Sequence, residues 1–454
     1  MQRDGLDRAV GRARSWTGSC WPPGVMIRSV TAALLVSLGA AACAPPPSDP
    51  GAPEDLDDLD DVGDAEDAHD VSAFPDPPES LVPVAATAVP VPGCVAHASL
   101  AGYSTWLFFT RPDRPCRGTA GSGVDMNAID ELTRLIGTVP AGGRIDGHIF
   151  SISVDAVGKA LLDAQTRGVD VRMSMDGDVA VSTDTAKTSY LDQLANKVYC
   201  THSNNRSCIA TADDAISHTK LFTFSTATAP DGAVSSNVVW FGSANQTYAS
   251  GARLYNNTVT VYGEASLYTQ LRAYLDELYA QRRHADYYDP DSGRGHLLAA
   301  AADVYASPEV QTDLVVNRLD DITPDASCRI RVMQASVRDS RLDVVAQLAK
   351  LKRGGCQIWV VSDTVEPAAL SALRAAGIPV RHMPIHDKSF LVYAKFGSAY
   401  QYRVYSGSQN LSGSAAHEYD EIFVKLAPET SATHPIYDAY YTHFNDAYNA
   451  GTPL

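Results

Sequence analysis

Along residues 93–454, short apolar runs rich in Val, Ile and Phe alternate with stretches whose apolar positions recur at helical spacing. The pattern predicts a helix over Asp125–Ile136, a strand over Arg144–Ile152, a helix over Ala156–Thr166 and a strand over Val169–Met175. The same order returns further on, as a strand over Cys328–Gln334, a helix over Arg341–Lys352, a strand over Gln357–Ser362, a helix over Ala368–Ala376 and a strand over Ile378–His382. Leu161–Arg172 and Leu348–Trp359 match in kind: each is a helix closed by a glycine, Gly168 or Gly354, and followed by a buried strand. Such alternation predicts an α/β fold of two similar halves, each a mixed β-sheet flanked by helices. A body of about 360 residues exceeds one ordinary domain and suits two halves with a common interface.

Between these arrays, Glu264–Arg283 carries Leu267, Leu271, Tyr274, Leu275 and Leu278 at the spacing of an amphipathic helix, and its mixed outer charges favour packing on the body over membrane contact. His296–Val304 is read as the link between the halves, and Ile436–Tyr448 as a helix that buries tyrosines. The boundaries that follow are 93–295 for the first half and 296–454 for the second.

The chain ahead of the body differs in kind. Met26 opens an export-signal pattern, with Arg28 as the positive end, Val30–Leu38 as the apolar stretch and Ala40–Ala42 as the small-residue cleavage site. Met26 is therefore the expected translation start, and 1–43 the leader. The apolar stretch is too short to span a bilayer, so no transmembrane helix is expected in the mature chain. Cys43 follows the small residues as a lipidated cysteine would, which leaves simple secretion and a lipid anchor both open. Residues 44–92 hold 13 Asp plus Glu and no Lys or Arg, with many prolines, which predicts an extended, disordered acidic tether.

These segments change the meaning of the net charge of −17: the leader contributes +3 and the tether −13, leaving −7 for residues 93–454. A mildly acidic body disfavours long nucleic acid as the main partner. Six cysteines lie in the body, and neighbour pairing, Cys94–Cys116, Cys200–Cys208 and Cys328–Cys356, is the simplest of their connectivities. Disulfides are expected over metal ligation, because no Cys-x-x-Cys occurs and the export signal implies an oxidising compartment. No His-Glu-x-x-His, EF-hand loop or P-loop occurs either, so activity without metal or cofactor is expected.

The strongest chemical signal is a repeat. His218-Thr-Lys220 precedes Leu221, Phe222 and Phe224, and Gly242-Ser243-Ala-Asn245 follows the apolar run Asn237–Phe241. His386-Asp-Lys388 precedes Phe390, Leu391 and Val392, and Gly407-Ser408-Gln-Asn410 follows Tyr402–Tyr405. The His-to-Asn separations are 27 and 24 residues. Residues two apart on a strand share a face, and a hairpin would bring His, Lys, Ser and Asn to one sheet edge. A phosphodiester repels nucleophiles by its negative charge, so a catalyst must neutralise its oxygens and supply both a nucleophile and a leaving-group acid. Two His, two Lys and two Asn fill those roles.

This arrangement resembles the phospholipase D superfamily, whose members join two HxK…GSxN halves around one phosphodiester-cleaving site. The resemblance implies a pseudo-twofold axis with one shared active site. It also implies that one histidine attacks phosphorus to form a phosphohistidine while the other protonates the leaving alcohol and then activates water. His218 is assigned as nucleophile and His386 as acid and base, with the reverse left open because the halves are equivalent. Lys220, Lys388, Asn245 and Asn410 would hold the charge on the phosphoryl oxygens. Ser243 and Ser408 would donate to phosphate or satisfy their turns, and Asn257 and Glu421 would orient the histidines. Ser225 and Tyr393 stand where the family's motif has Asp. The expected function is cleavage of glycerophospholipid head groups to phosphatidic acid, with transfer to an alcohol as a further outcome, by a monomer acting at a membrane surface. A nuclease of the same family and a silent phosphate- or lipid-binding homologue are the alternatives.

Overall fold

The computed structural model describes residues 93–117 and 124–454; the leader, Cys43 and the tether lie outside the described residues. Among the described residues, one sheet has eight strands: β1 (Val95–Leu100), β2 (Tyr103–Thr110), β3 (Arg144–Ile149), β4 (Asp170–Asp176), β5 (Asn196–Cys200), β6 (Leu221–Thr228), β7 (Val234–Gly242) and β8 (Asn256–Tyr262), in the order β1-β2-β8-β7-β6-β3-β4-β5. The other has ten: β9 (His296–Leu298), β10 (Ala302–Ala306), β11 (Ile322–Thr323), β12 (Arg329–Val337), β13 (Gln357–Val365), β14 (Val380–His382), β15 (Lys388–Phe396), β16 (Ala399–Gly407), β17 (Ile422–Leu426) and β18 (Thr452–Pro453). Their order is β18-β14-β13-β12-β15-β16-β17-β10-β9, with β11 pairing β15. In each sheet the strands joined through helices are parallel, β3-β4-β5 and β12-β13-β14, while the hairpins β6-β7 and β15-β16 are antiparallel. The fold is thus α/β with two mixed sheets and flanking helices.

Both faces of each sheet are covered, which is why their strands read as nearly unbroken apolar runs. Along β6, Leu221 joins one core while Phe222 and Phe224 join another. The first of these cores takes residues from both sheets, among them Val239, Phe241 and Val261 of one and Met333, Leu391 and Val404 of the other. Helix Ala265–Ala280 contributes Leu267, Leu271, Tyr274, Leu275 and Leu278 to it, and helix Pro435–Ala450 adds Tyr440 and Phe444. On the outer faces, helices Asn127–Thr138 and Asp155–Thr166 cover the first sheet, and helices Leu342–Arg353 and Pro367–Ala375 cover the second.

Two expectations shift. His296–Val304 is no link between the halves: β9 and β10 form a hairpin that extends the second sheet, with Asp303 opposite Leu298. A run so short shows too little period to separate a strand from a connection. The first helix starts at Asn127, not Asp125, because the Asp125 carboxylate is engaged before the helix begins. It accepts hydrogen bonds from the backbone N–H groups of Arg111, Cys116, Arg117 and Asn127, and so pins the preceding loop.

The three disulfides join Cys94–Cys116, Cys200–Cys208 and Cys328–Cys356. Cys328 precedes β12 and Cys356 precedes β13, so the last bridge ties the starts of two neighbouring parallel strands. Replacing both with serine is expected to lower stability by about 2–4 kcal/mol, read from urea midpoints of the purified chain.

A second stability prediction concerns Glu309, whose carboxyl accepts hydrogen bonds from Thr312 Oγ1 and Leu314 N. Its own backbone holds the loop after β16, through Glu309 N to Ala416 O and His417 Nδ1 to Glu309 O. Burial pushes this carboxyl up from 4.5 to about 8. The folded chain therefore keeps a proton that the unfolded chain releases above 4.5, so stability is fully present below that pH and falls as pH rises through 8. Glu309→Gln, which cannot ionise, is expected to flatten this fall, measured as urea midpoints across the same window.

Candidate active site

The hairpins deliver the motifs as their spacing requires. In the first sheet Leu221 lies opposite Phe241, so Lys220 and Gly242 meet at one strand end. In the second, Phe390 lies opposite Tyr405, so Lys388 and Gly407 meet likewise. The two strand ends face one another: the His218 and His386 rings lie 6.3 Å apart, centroid to centroid, with planes at 76°. All of His218, Lys220, Asn245, His386, Lys388 and Asn410 are buried. Lys220 Nζ donates to His218 O at 2.8 Å, and Lys388 Nζ to His386 O at 2.9 Å, so each ammonium folds back beside its own histidine. Asn245 Nδ2 donates to Ser250 Oγ at 3.3 Å. Asn410 Oδ1 accepts no hydrogen bond among the described residues.

The histidines are oriented across the interface. His218 Nδ1 lies 2.6 Å from Glu421 Oε1, and His386 Nδ1 lies 3.1 Å from Asn256 Oδ1. Each acceptor comes from the opposite half. The Asn256 amide is itself fixed, with Nδ2 donating to Ser250 O at 2.6 Å and Oδ1 accepting from Ser243 Oγ at 2.9 Å. With an acceptor on each Nδ1, the proton of a neutral ring resides there.

This corrects the sequence reading at one residue. Asn257 is not the group at His386; its side chain donates to Asp387 Oδ2 at 2.8 Å and accepts from Ser406 Oγ and Tyr440 OH. Counting from the motif serines finds the right residue, since Asn256 and Glu421 each lie 13 positions after Ser243 and Ser408. Those serines also act alike: their Oγ atoms accept from Asn257 N and Ile422 N, both at 3.0 Å, and so pin the strand that carries the acceptor.

Several side chains had no local signal. His148, neutral because burial pushes it down to about 4, faces Ser217 O through Nε2, and Asp176 accepts from Ser217 N. The peptide before His218 is thus held on both sides. Asp420 accepts from the backbone N–H groups of Cys208, Ile209 and Ala210, so the disulfide-closed loop fixes the residue beside Glu421. Burial pushes the Asp176 and Asp420 carboxyls up. Beside the other histidine, Asp387 Oδ2 lies 3.2 Å from His443 Nε2 of the last long helix. Phe150, just past β3, stacks edge-on to His218 at 4.7 Å and lies 4.9 Å beneath Lys220 Nζ.

Other positions fall elsewhere. Ser225 Oγ accepts from Arg144 N, and Tyr393 stacks on Tyr402, so both positions serve the sheet. His202 is exposed, His382 faces Asp363 at 3.5 Å and His417 holds Glu309 O. No cluster of metal-ligating side chains occurs among the described residues.

The paired HxK and GSxN elements thus close on one two-histidine site. Residues 140–279 match the family model described as cardiolipin synthase, phospholipase D-like domain. Through this segment, which is under half of its length, the chain is similar to the phospholipase D superfamily. No curated protein matches it. Among solved structures, the chain is similar to a phosphatidylserine synthase of Haemophilus influenzae, at 11% identity and a TM-score of 0.49 over 80% of this chain and 90% of that one. It is also similar to a polyphosphate kinase of Porphyromonas gingivalis, at 11% identity and a TM-score of 0.46, covering 72% of this chain and only 45% of that one. The phospholipase D family member Nuc of Salmonella typhimurium aligns at 22% identity and a TM-score of 0.27, over 34% of this chain and 97% of that one.

Proposed function

We propose that the chain cleaves phosphodiesters through a covalent phosphohistidine, with glycerophospholipids as substrates. The observation that carries this reading is the pair of facing histidines, each with Nδ1 held by an acceptor from the opposite half. That geometry presents two Nε2 atoms to one phosphoryl group, one to attack and one to protonate the leaving oxygen. The acceptors differ in charge, which distinguishes the roles. Glu421 is a carboxylate and stabilises the positive ring that forms when Nε2 bonds phosphorus, whereas Asn256 orients without charge. His218 is therefore the nucleophile, and His386 the acid that protonates the leaving group and the base that activates water. Lys220, Lys388, Asn245 and Asn410 hold the phosphoryl oxygens, and no metal or cofactor enters the scheme.

A lipid substrate is supported by three exposed aliphatic side chains in the segments that follow strands at the site end of the sheets: Val181 at 79% exposure, closing the short helix after β4, Val310 at 57% in the loop after β10, and Leu342 at 41%, opening the helix after β12. A charge of −7 over residues 93–454 argues against long nucleic acid. No described helix is long and apolar enough to cross a membrane, so contact would be made from the surface. Three disulfides support export to an oxidising compartment, by secretion or as a lipoprotein anchored at Cys43. The halves are assigned to residues 93–295 and 296–454, in one monomer.

The test uses the purified, disulfide-bonded chain with phosphatidylcholine vesicles and a little ethanol. Phosphatidic acid together with phosphatidylethanol is the expected result, since a phosphohistidine partitions between water and alcohol. Cleavage of single-stranded DNA with no lipid product would replace this reading with the nuclease one.

A further inference from the structure

The two halves can be compared position by position. Ile152 bridges Gln246 just as Val337 bridges Leu411, and the pairing of β3 with β6 repeats that of β12 with β15. This sets Ile149 against Gln334 and Phe150 against Ala335. Counting back from the motif histidines sets Ala215-Ile216 against Met383-Pro384.

On the His218 side these positions are apolar and closed; on the His386 side Met383 and Pro384 are more exposed, Ala335 is smaller than its counterpart, and Gln334, though buried, is polar. Phe150 covers the His218 ring and packs in an apolar cluster with Ala215, Ile216, Ala415 and Tyr419. Ile216 is 2% exposed, while its counterpart Pro384 is exposed and Met383 is half-buried. Ala335, 8% exposed, has a methyl group where Phe150 has a ring. Gln334 lies directly opposite Lys388 in the sheet, so the two side chains share a face. Its Oε1 is buried and accepts no hydrogen bond among the described residues. Ile149, its counterpart, lies wholly in apolar core.

We infer that the site has a single leaving-group subsite, on the His386 side, bounded by Ala335, Gln334, Met383 and Pro384, and that it takes a small polyhydroxy alcohol. The inference rests on the phosphohistidine reading above. In the first step the phosphorus–Nε2 bond to His218 forms as the bond to the leaving oxygen breaks, and the proton of His386 goes to that oxygen. In the second, water or an alcohol enters the same space, gives its proton to His386 and displaces His218. Room for the exchanging alcohol is needed only beyond His386, because the diacylglycerol stays on phosphorus and nothing departs or arrives behind His218. The Gln334 amide supplies a hydrogen-bonding partner for a hydroxyl of the departing or incoming alcohol.

Partitioning of the intermediate tests this independently of overall rate and of how much protein is folded. Wild-type chain, Ala335→Leu and Gln334→Leu are given dioleoyl phosphatidylcholine vesicles with either glycerol or methanol, and the ratio of phosphatidyl alcohol to phosphatidic acid is measured. Both variants are expected to lower the glycerol ratio about tenfold, as for one lost hydrogen bond or a filled subsite, with the methanol ratio changing less than about twofold. An unchanged glycerol ratio in both variants, with transfer to methanol intact, overturns the subsite and leaves the phosphohistidine reading standing. If the wild-type chain forms no phosphohistidine with these vesicles or with bis(4-nitrophenyl) phosphate, the underlying reading falls and the subsite with it.

Discussion

His218→Ala is expected to lower phosphodiester cleavage by roughly 10⁴-fold or more, because it removes the atom that bonds to phosphorus. His386→Ala is expected to behave differently. Loss of a general acid costs about 10²–10⁴-fold with a poor leaving group, but little with 4-nitrophenolate, which departs without a proton. With bis(4-nitrophenyl) phosphate this variant should release one equivalent of nitrophenolate per site and then stall, since the base that activates water is also gone. The covalent intermediate should then be trapped on His218, where acid-labile phosphate can be located by peptide mapping. A burst from the His218 variant and none from the His386 variant would reverse the assignment. The rings are too alike in burial to decide this by position alone; Glu421 against Asn256 is what separates them.

Glu421→Gln is the second large effect. Glutamine keeps the size of the side chain and can still accept from Nδ1, but it carries no charge to stabilise the phosphorylated ring. A fall in kcat of about 10²–10⁴-fold is expected, with KM changed little, because the charge is needed only once the bond to phosphorus forms. Asn256→Ala removes a neutral acceptor from His386 and should cost less, about 10–10²-fold, from loss of ring orientation alone. Steady-state kinetics of the two variants side by side decide the matter. Equal losses would mean that both acceptors only orient, and the carboxylate would lose its assigned role.

Most of the architecture and the core of the site are readable from local spacing. His-x-Lys and Gly-Ser-x-Asn each occupy a few residues, and the apolar strands beside them have a period the chain displays directly. What stays hidden depends on partners far away in sequence. Asp420 meets Cys208–Ala210 from about 210 residues off, and Asn257 meets Asp387 from 130, so no local pattern marks either. The error at Asn257 is of another kind. Both asparagines lie on β8, side chains of adjacent residues point to opposite faces, and a shift of one residue exchanges the histidine's acceptor for a neighbour that serves Asp387. Phe150 stays hidden for a similar reason. An aromatic at a strand end looks like core, and only the fold shows it lying against the His218 ring.

The crossed acceptors bear on how such a protein can change over generations. In a chain built of two like parts, one part is ordinarily at liberty to decay while the other keeps the activity. Here Glu421 of the later part serves His218 of the earlier, and Asn256 of the earlier serves His386 of the later. Decay of either part disables the other's histidine along with its own. The two are bound to a common fate at these positions, while a place such as Ala335, whose hydrogen bonds stay within the later part, is where inheritance leaves room for them to diverge.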